Sequence, residues 1–198
     1  MSFSAVRLIK PLVFLTCLIP FGYYLYGMLL DPEMLGANPV EYLLRQTGDW
    51  ALRFILIVLS ITPLRMISKQ SVLLKYRRML GLFAFFYVTT HFSIYALLDL
   101  QLDWSHIGED IAERPFITIG FAAWLLLIPL AMTSTRAMMR RLGKRWKSLH
   151  QLVYLIAILA VSHYIWLVKK DLREPLIYAG ILLVLFLMRT SYVKRKLA

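Results

Sequence analysis

The stretch that decides the fold is residues 149–168, LHQLVYLIAILAVSHYIWLV, which contains no Asp, Glu, Lys or Arg. A helix that crosses the hydrocarbon core of a bilayer needs about 20 mostly apolar residues, and this stretch has that length. It also holds two histidines, His150 and His163, and ionisable side chains are costly inside a membrane. The stretch therefore predicts a membrane-spanning helix that carries functional side chains.

Five further apolar stretches have similar length and composition. We predict an all-α integral membrane protein, a six-helix bundle forming a single transmembrane domain over residues 1–198, with spans at about 11–30, 51–67, 79–98, 116–132, 149–168 and 175–188. Of the 198 residues 60% are hydrophobic and 17% are charged, and the mean hydropathy is +0.65. Soluble domains have about 45–50% apolar residues, so the composition argues against a water-soluble globule. The lone Cys17 excludes an internal disulfide.

The charges sort onto the two sides of this predicted bundle. If the N-terminus is cytoplasmic, seventeen of the 23 Lys and Arg residues lie in cytoplasmic segments, and all eleven Asp and Glu residues lie on the other side. Basic residues mark cytoplasmic loops, so both termini are expected in the cytoplasm. The net charge of +12 is therefore interpreted as a topology signal that also attracts anionic membrane lipid. No nucleic-acid partner is expected.

The histidines are the remaining candidates for chemistry. His91 and His163 lie roughly 18 and 21 Å along two parallel spans, so they share one depth. Two neutral imidazoles at one depth can ligate a haem iron from opposite faces, which we favour over ordinary helix–helix hydrogen bonds. His150 lies about 20 Å nearer the cytoplasm and is the candidate ligand of a second iron. Zinc is disfavoured because these three histidines cannot share one ion, and His106 is expected in a solvated outer loop.

The spacing of 13 residues between His150 and His163 leaves them about 140° apart around an ideal helix. Either this helix is bent or bulged, or the two histidines face different sides of their cofactors. Small residues let membrane helices approach closely, and the candidates are Gly22, Gly81, Gly120 and Gly180. Among them Gly81 is the one considered for making room for a flat cofactor.

Several segments resemble the MsrQ family, formerly YedZ, of haem-bearing bacterial membrane subunits. They are RRMLGL at 77–82 with HFSIY at 91–95, RPFITIG at 114–120, TST at 133–135, and LGKRWKSLHQLVYL at 142–155 closing at His163-Tyr164. The resemblance covers nearly the whole chain, and its most specific part is the stretch from Arg145 through Trp146 to His150, together with His163. That family belongs to the ferric-reductase-like transmembrane group, together with NADPH oxidases and metalloreductases.

The resemblance implies a six-helix haem b core in the bacterial inner membrane. It implies that electrons pass from the quinone pool, or from a cytoplasmic flavin reductase, to the periplasmic molybdopterin subunit MsrP. That partner repairs methionine sulfoxide in proteins, so the catalytic reduction would be carried by a separate chain. The family is also described as binding FMN.

The resemblance also assigns site residues: His91, His150 and His163 match the family's haem ligands. In the eukaryotic oxidases a further histidine precedes the position of His91 by about fourteen residues, whereas this chain has Arg77 and Arg78 there. A second haem at His150 would therefore lack an obvious partner. The arginines Arg77, Arg78 and Arg145 are candidates to pair with haem propionates or a flavin phosphate, although cytoplasmic topology alone also accounts for them.

Two rival functions remain open at this stage. One is a stand-alone ferric or quinone reductase with the same fold and no protein partner. The other is a small transporter, which predicts inverted repeats and helices broken near the midplane. The sequence displays no such inverted symmetry, and it has no glycine-rich phosphate loop and no CxxC motif.

Overall fold

A computed structural model describes the backbone of residues 3–168 and 170–197 and the side chains of residues 8–168 and 170–190. Within these ranges the chain is helical and contains no strand. The helices are α1 (Phe3–Leu29), α2 (Pro39–Ser68), α3 (Leu74–Ile94), α4 (Trp104–Glu113), α5 (Pro115–Met132), α6 (Arg136–Leu142), α7 (Lys144–His150), α8 (Leu152–Leu167) and α9 (Arg173–Leu197). Short 3-10 turns lie at Pro32–Leu35 and Ser71–Leu73, and a π-helical turn lies at Tyr95–Asp99.

Five helical segments of the described chain are long and apolar enough to cross a membrane, which makes this a multi-pass membrane protein. They are Leu8–Leu29, Pro39–Ser68, Ser71–Asp99, Pro115–Met132 and Lys144–Leu167. The sixth predicted span lies within α9. Its uncharged stretch, residues 175–188, rises only about 21 Å, less than the hydrocarbon core of about 30 Å. A sixth span and the cytoplasmic location of the termini therefore stay predictions.

The second predicted span begins much earlier than expected, at Pro39 instead of residue 51. The Asn38 side chain accepts a hydrogen bond from the Glu41 N–H, and Pro39 occupies the first turn, so the chain has a strong helix start there. As a result Asp49 and Arg53 both lie inside α2, and Asp49 is buried. The sequence interpretation placed Asp49 in a loop because its charge ended the apolar stretch.

Two regions predicted as loops contain short helices. In α4 the Asp103 carboxylate accepts from the backbone N–H groups of Ser105 and His106, which starts the helix. His106 is therefore in a helix and not in a loop, although its side chain is exposed as expected. In α6 the Thr135 hydroxyl accepts from the Met138 N–H and caps the helix in the same way.

The fifth predicted span is divided at Gln151, between α7 and α8. His150 is the last residue of α7, whereas His163 lies near the end of α8. Gln151 keeps right-handed helical angles, so the two histidines lie on either side of a local irregularity within one helical segment, in line with the first of the two alternatives that their spacing left open.

Four helices form a ring in which α2 contacts α3, α3 contacts α5, α5 contacts α8 and α8 contacts α2. The helices α3 and α8 are therefore diagonal to each other, as are α2 and α5. On these helices the side chains of Leu59, Tyr87, Ile156 and Ala157 are fully buried. The helices α1 and α9 pack outside this ring, α1 against α2 and α3 and α9 against α2 and α8.

Side chains from neighbouring helices satisfy backbone groups near two of the prolines. The Tyr87 hydroxyl donates to the Cys17 carbonyl at 2.8 Å and accepts from the Phe21 N–H at 3.1 Å, beside Pro20. Likewise Arg189 of α9 donates to the Leu59 carbonyl at 2.6 Å.

Leu59 is the residue whose carbonyl a helical N–H at position 63 would bond, and Pro63 has no N–H. Backbone polar groups must be paired inside a bilayer, so these contacts stabilise the proline-containing helices.

Candidate functional site

A cavity of about 470 Å³ lies inside the ring of α2, α3, α5 and α8. Ligand-binding pockets have volumes of about 300–1,000 Å³. His91 and His163 both line the cavity. Its two ends differ: the polar end is formed by Glu41, Arg45, Asp99 and Arg114, and the apolar end is formed by Ile55, Val88, Ala123 and Ile156.

The structure brings His91 of α3 and His163 of α8 together from diagonal positions, with their ring centroids 6.4 Å apart. A bond between a metal and an imidazole nitrogen is about 2 Å long. Two imidazoles bound to opposite sides of one iron therefore have ring centres about 6 Å apart. The separation of the two rings fits an iron between them, and the predicted sharing of one depth is confirmed.

Hydrogen bonds orient both rings in the same way. The Nδ1 atom of His91 lies 2.9 Å from the Leu44 carbonyl, and the Nδ1 atom of His163 lies 2.6 Å from the Phe116 carbonyl. A carbonyl only accepts, so each Nδ1 carries the proton and donates it. Each Nε2 then keeps a free lone pair, which is the usual arrangement of a metal-binding histidine.

Two glycines make room for these rings. A Cβ atom added at Gly120 would lie 2.8 Å from Nδ1 of His163, and one added at Gly48 would lie 3.2 Å from Cε1 of His91. By contrast nothing lies within 4 Å of a Cβ added at Gly81. The sequence interpretation singled out Gly81 and did not consider Gly48. What the two glycines accommodate is the imidazole rings themselves.

The residues that hold the two histidines correspond to each other in the sequence. A shift of 72 residues takes Leu44 to Phe116, Gly48 to Gly120 and His91 to His163. Each histidine is thus oriented by the carbonyl 47 residues before it, and each lies against a glycine one helical turn after that carbonyl. The hairpin of α2 and α3 and the pair of α5 and α8 therefore present their imidazoles in equivalent ways.

Aromatic side chains form part of the cavity wall. Phe92 stacks on Trp124 with ring centroids 4.4 Å apart, and the Trp124 indole N–H donates to the Thr89 hydroxyl at 3.2 Å. Both aromatic rings line the cavity. Large apolar surfaces of this kind suit a flat, apolar macrocycle.

Charged and hydroxyl side chains from α2, α8 and α9 gather beside the cavity. Asp49 lines the cavity and lies 3.6 Å from the Arg53 guanidinium, which also donates to the Tyr178 hydroxyl at 2.9 Å. The neighbouring Tyr164 hydroxyl donates to Glu174 at 2.8 Å. A buried carboxylate inside a membrane helix is costly unless paired, and Arg53 supplies that pairing.

His150 lies apart from the cavity. Its Nε2 atom lies 3.0 Å from the Thr133 hydroxyl, and its ring stacks on Trp146 with centroids 4.0 Å apart. The Trp146 indole N–H donates to the Thr133 carbonyl at 3.0 Å. No second histidine of the described chain accompanies it, since His91 and His163 face each other and His106 pairs with Asp103.

The three arginines proposed from the sequence, Arg77, Arg78 and Arg145, take different positions. Arg77 is half-buried, whereas Arg78 and Arg145 are exposed. None of the three lines the cavity that holds His91 and His163. The arginines that do line it, Arg45 and Arg114, were not singled out from the sequence because they were read as loop charges.

The residues present fit a haem on several independent points. The two rings have the separation that an axially ligated iron requires, their free nitrogens are available, and the wall between them is apolar and aromatic. The same points do not hold at His150, where the structure offers one imidazole with a hydroxyl partner.

Comparison with known proteins agrees with this reading. Residues 47–161, which include all four helices of the ring in part or whole, match the family "Ferric reductase like transmembrane component". No solved structure matches the chain significantly.

Curated relatives carry the name "Protein-methionine-sulfoxide reductase heme-binding subunit MsrQ". One from Xanthomonas oryzae pv. oryzae is 58% identical over 153 residues, covering 77% of this chain and 70% of the relative. One from Herminiimonas arsenicoxydans is 48% identical over 194 residues, covering 96% of this chain and 88% of the relative. The chain therefore belongs to the ferric reductase like transmembrane family and, within it, to the MsrQ heme-binding subunits of protein-methionine-sulfoxide reductase.

Proposed function

We propose that this chain is a haem b protein that carries single electrons across the bacterial inner membrane, with one haem ligated by His91 and His163. The observation that carries the proposal is the pair of facing imidazoles, 6.4 Å apart, with both Nδ1 atoms bonded to carbonyls. The iron supplies reversible one-electron chemistry. The chain supplies two neutral imidazoles, fixes their tautomer through Leu44 and Phe116, and excludes water with the apolar cavity wall.

The direction of transfer follows from the proposed topology. With six spans and both termini in the cytoplasm, the polar end of the cavity faces the periplasm. Electrons then leave toward a periplasmic partner, for which the periplasmic molybdopterin subunit MsrP is proposed, and that partner reduces methionine sulfoxide in proteins. The relatives' name, which refers to a methionine sulfoxide reductase, supports this assignment.

A donor site is proposed at the cytoplasmic end, around His150. The imidazole stacked on Trp146 belongs to the same end of the bundle as the basic residues Arg77, Arg78 and Arg145, which makes this end basic and aromatic. It could accept a second haem through His150, or an FMN whose phosphate pairs with the arginines. The quinone pool and a cytoplasmic flavin reductase are the proposed electron sources.

The test is electron delivery by the purified, reduced protein. On mixing with oxidised MsrP and a methionine sulfoxide substrate, the sharp reduced bands of the haem should disappear at a rate that rises with partner concentration. MsrP heated to inactivation is the control. Reoxidation that is equally fast without the partner would contradict the proposed role as its electron donor.

One alternative is favoured by a specific observation, the name of the matching family model. A stand-alone ferric or quinone reductase would use the same pair of histidines and need no protein partner. Such an activity predicts rapid reoxidation by a ferric chelate or a soluble quinone alone, which the same mixing experiment measures.

A further inference from the structure

We propose that Arg45 and Arg114 bind the two propionate carboxylates of the haem, so that the haem stands in the cavity with its carboxylates at the polar end. The inference rests on the proposed function, since it takes the cofactor as haem. It adds the orientation of that cofactor and two binding residues that neither the sequence motifs nor the histidine geometry assign.

The two ends of the cavity differ in whether they can accept the charged edge of a haem. Haem has one edge with two carboxylates and is otherwise apolar, so it must place that edge where charge is tolerated. The apolar end offers only aliphatic side chains, whereas the polar end holds two guanidinium groups. Burying a carboxylate without a partner is costly, so the carboxylates belong at the polar end.

The arrangement of the four helices determines the direction in which a bound haem extends. The histidines come from the diagonal pair α3 and α8, so a flat group held between them extends toward the other diagonal pair, α2 and α5. Arg45 lies on α2 and Arg114 directly precedes α5. The two arginines are therefore contributed from opposite sides of the cavity, one for each carboxylate.

The backbone contacts of the histidines fix the level of the arginines. Arg45 directly follows Leu44, whose carbonyl orients His91, and Arg114 lies two residues before Phe116, whose carbonyl orients His163. The backbone of each arginine thus lies at nearly the same depth as one of the two imidazoles. A long arginine side chain therefore reaches the edge of a haem bound between them.

Arg45 and Arg114 also have guanidinium N–H groups that are available to donate hydrogen bonds to a propionate. Arg45 makes no hydrogen bond or ion pair within the described part of the chain. Two carboxylates of α2 lie four residues from it along the chain: Glu41, which bonds the Asn38 side chain, and Asp49, which is paired with Arg53. Arg114 uses its Nε atom toward Asp110 at 3.1 Å, which leaves its two terminal nitrogens. Since Glu41 and Asp99 are the other charges at this end, propionates there would meet only like charges if the arginines were removed.

The experiment uses the haem-loaded protein with the substitutions Arg45→Gln, Arg114→Gln and both together. The haem carries carbon-13 at its propionate carboxyl carbons, and infrared difference spectra between the reduced and oxidised protein identify the carboxylate bands. The second readout is the rate at which haem passes to excess apomyoglobin. The matched control is Arg173→Gln, which removes an exposed arginine that does not line the cavity.

We expect the label-sensitive carboxylate band to shift in each variant and haem loss to accelerate about tenfold or more in the double variant, because charge-assisted hydrogen bonds are strong. Arg173→Gln should change neither. Unchanged bands in the double variant, or equal effects of Arg173→Gln, would overturn the assignment. If the unmodified protein bound no haem, the proposed function itself would fail, whereas a haem that needs His91 and His163 but ignores both arginines would refute only the orientation.

Discussion

His91 and His163 are held in the same way by two different pairs of helices. In each case a carbonyl 47 residues earlier in the chain accepts from Nδ1, and a glycine four residues after that carbonyl lies against the ring. The two rings meet with centroids 6.4 Å apart. This equivalence gives both imidazoles the same tautomer and the same freedom of Nε2, as two axial ligands of one iron require.

The first prediction concerns the glycines. Gly120→Ala places a methyl group 2.8 Å from the His163 ring, and such overpacking costs about 1–3 kcal/mol. We expect haem affinity to fall about tenfold or more, with a smaller loss for Gly48→Ala, where the closest approach is 3.2 Å. Haem titration and the low-spin optical spectrum measure the effect. The control, Gly81→Ala, has open space around it and should bind haem normally; equal losses in all three would contradict the account.

The second prediction concerns the bond between Arg189 and the Leu59 carbonyl. Arg189→Leu leaves a carbonyl unpaired beside Pro63, which should lower thermal stability in detergent by an amount equivalent to about 1–3 kcal/mol. Pro63→Ala restores an N–H that bonds the same carbonyl, so Arg189→Leu should cost less in that background. A double-mutant cycle measures the difference. Strict additivity of the two substitutions would show that the carbonyl is not the reason for the loss.

The third prediction is a pH dependence at the start of α4. The exposed His106 imidazole lies 2.7 Å from the Asp103 carboxylate, which raises the pKa of His106 above its ordinary 6.5. Hydrogen bonds from Ser105 and His106 hold the pKa of Asp103 well below its usual range. The charged pair is therefore complete between these two pKa values, and it is lost when the pH rises through the raised pKa of His106 or falls through the lowered pKa of Asp103.

NMR titration of His106 measures this pair. In Asp103→Asn the amide oxygen still caps α4 but carries no charge, so the pKa of His106 should move back toward 6.5. A midpoint for His106 that is the same in the variant and the unmodified protein would contradict the pairing seen here.

The fourth prediction concerns docking at the acidic segment from Asp99 to Arg114. Its carboxylates are segregated from the basic segments that we predict to be cytoplasmic, and a periplasmic partner with a complementary charge would associate faster at low salt. Replacing Glu109 and Glu113 by Lys should therefore slow electron delivery to MsrP and weaken its dependence on ionic strength. Charge reversal at Asp171, outside this segment, is the control. Unchanged rates for the Glu109 and Glu113 variants would refute the docking surface.

Much of the fold can be predicted from the sequence because a membrane-spanning helix appears there as a long stretch without charged residues. The locations of α1, α5 and α8 follow from that rule. The start of α2 does not, since Asp49 and Arg53 are charges that only tertiary pairing makes tolerable inside a helix. Short capped helices such as α4 are missed for a different reason, because its ten residues are too few and too polar to register as a long uncharged stretch.

The candidate site is predictable in its histidines but not in its surroundings. His91 and His163 stand out because ionisable residues are rare in apolar stretches. The 72-residue correspondence between the two halves escapes a search for short repeats, since at its site only the glycines and histidines keep their identity while Leu44 becomes Phe116. The roles of Gly48, Arg45 and Arg114 depend on which helices face one another, and that is decided by packing.

The most direct test of the central account is the haem content and reduced optical spectrum of purified His91→Ala, His163→Ala and His150→Ala variants. A bis-histidine haem at His91 and His163 predicts that each of the first two variants loses the low-spin haem spectrum, while His150→Ala keeps that haem and at most loses a second one. Equal protein yields in detergent establish that the variants fold. Full retention of the low-spin spectrum in His91→Ala or His163→Ala would contradict the account.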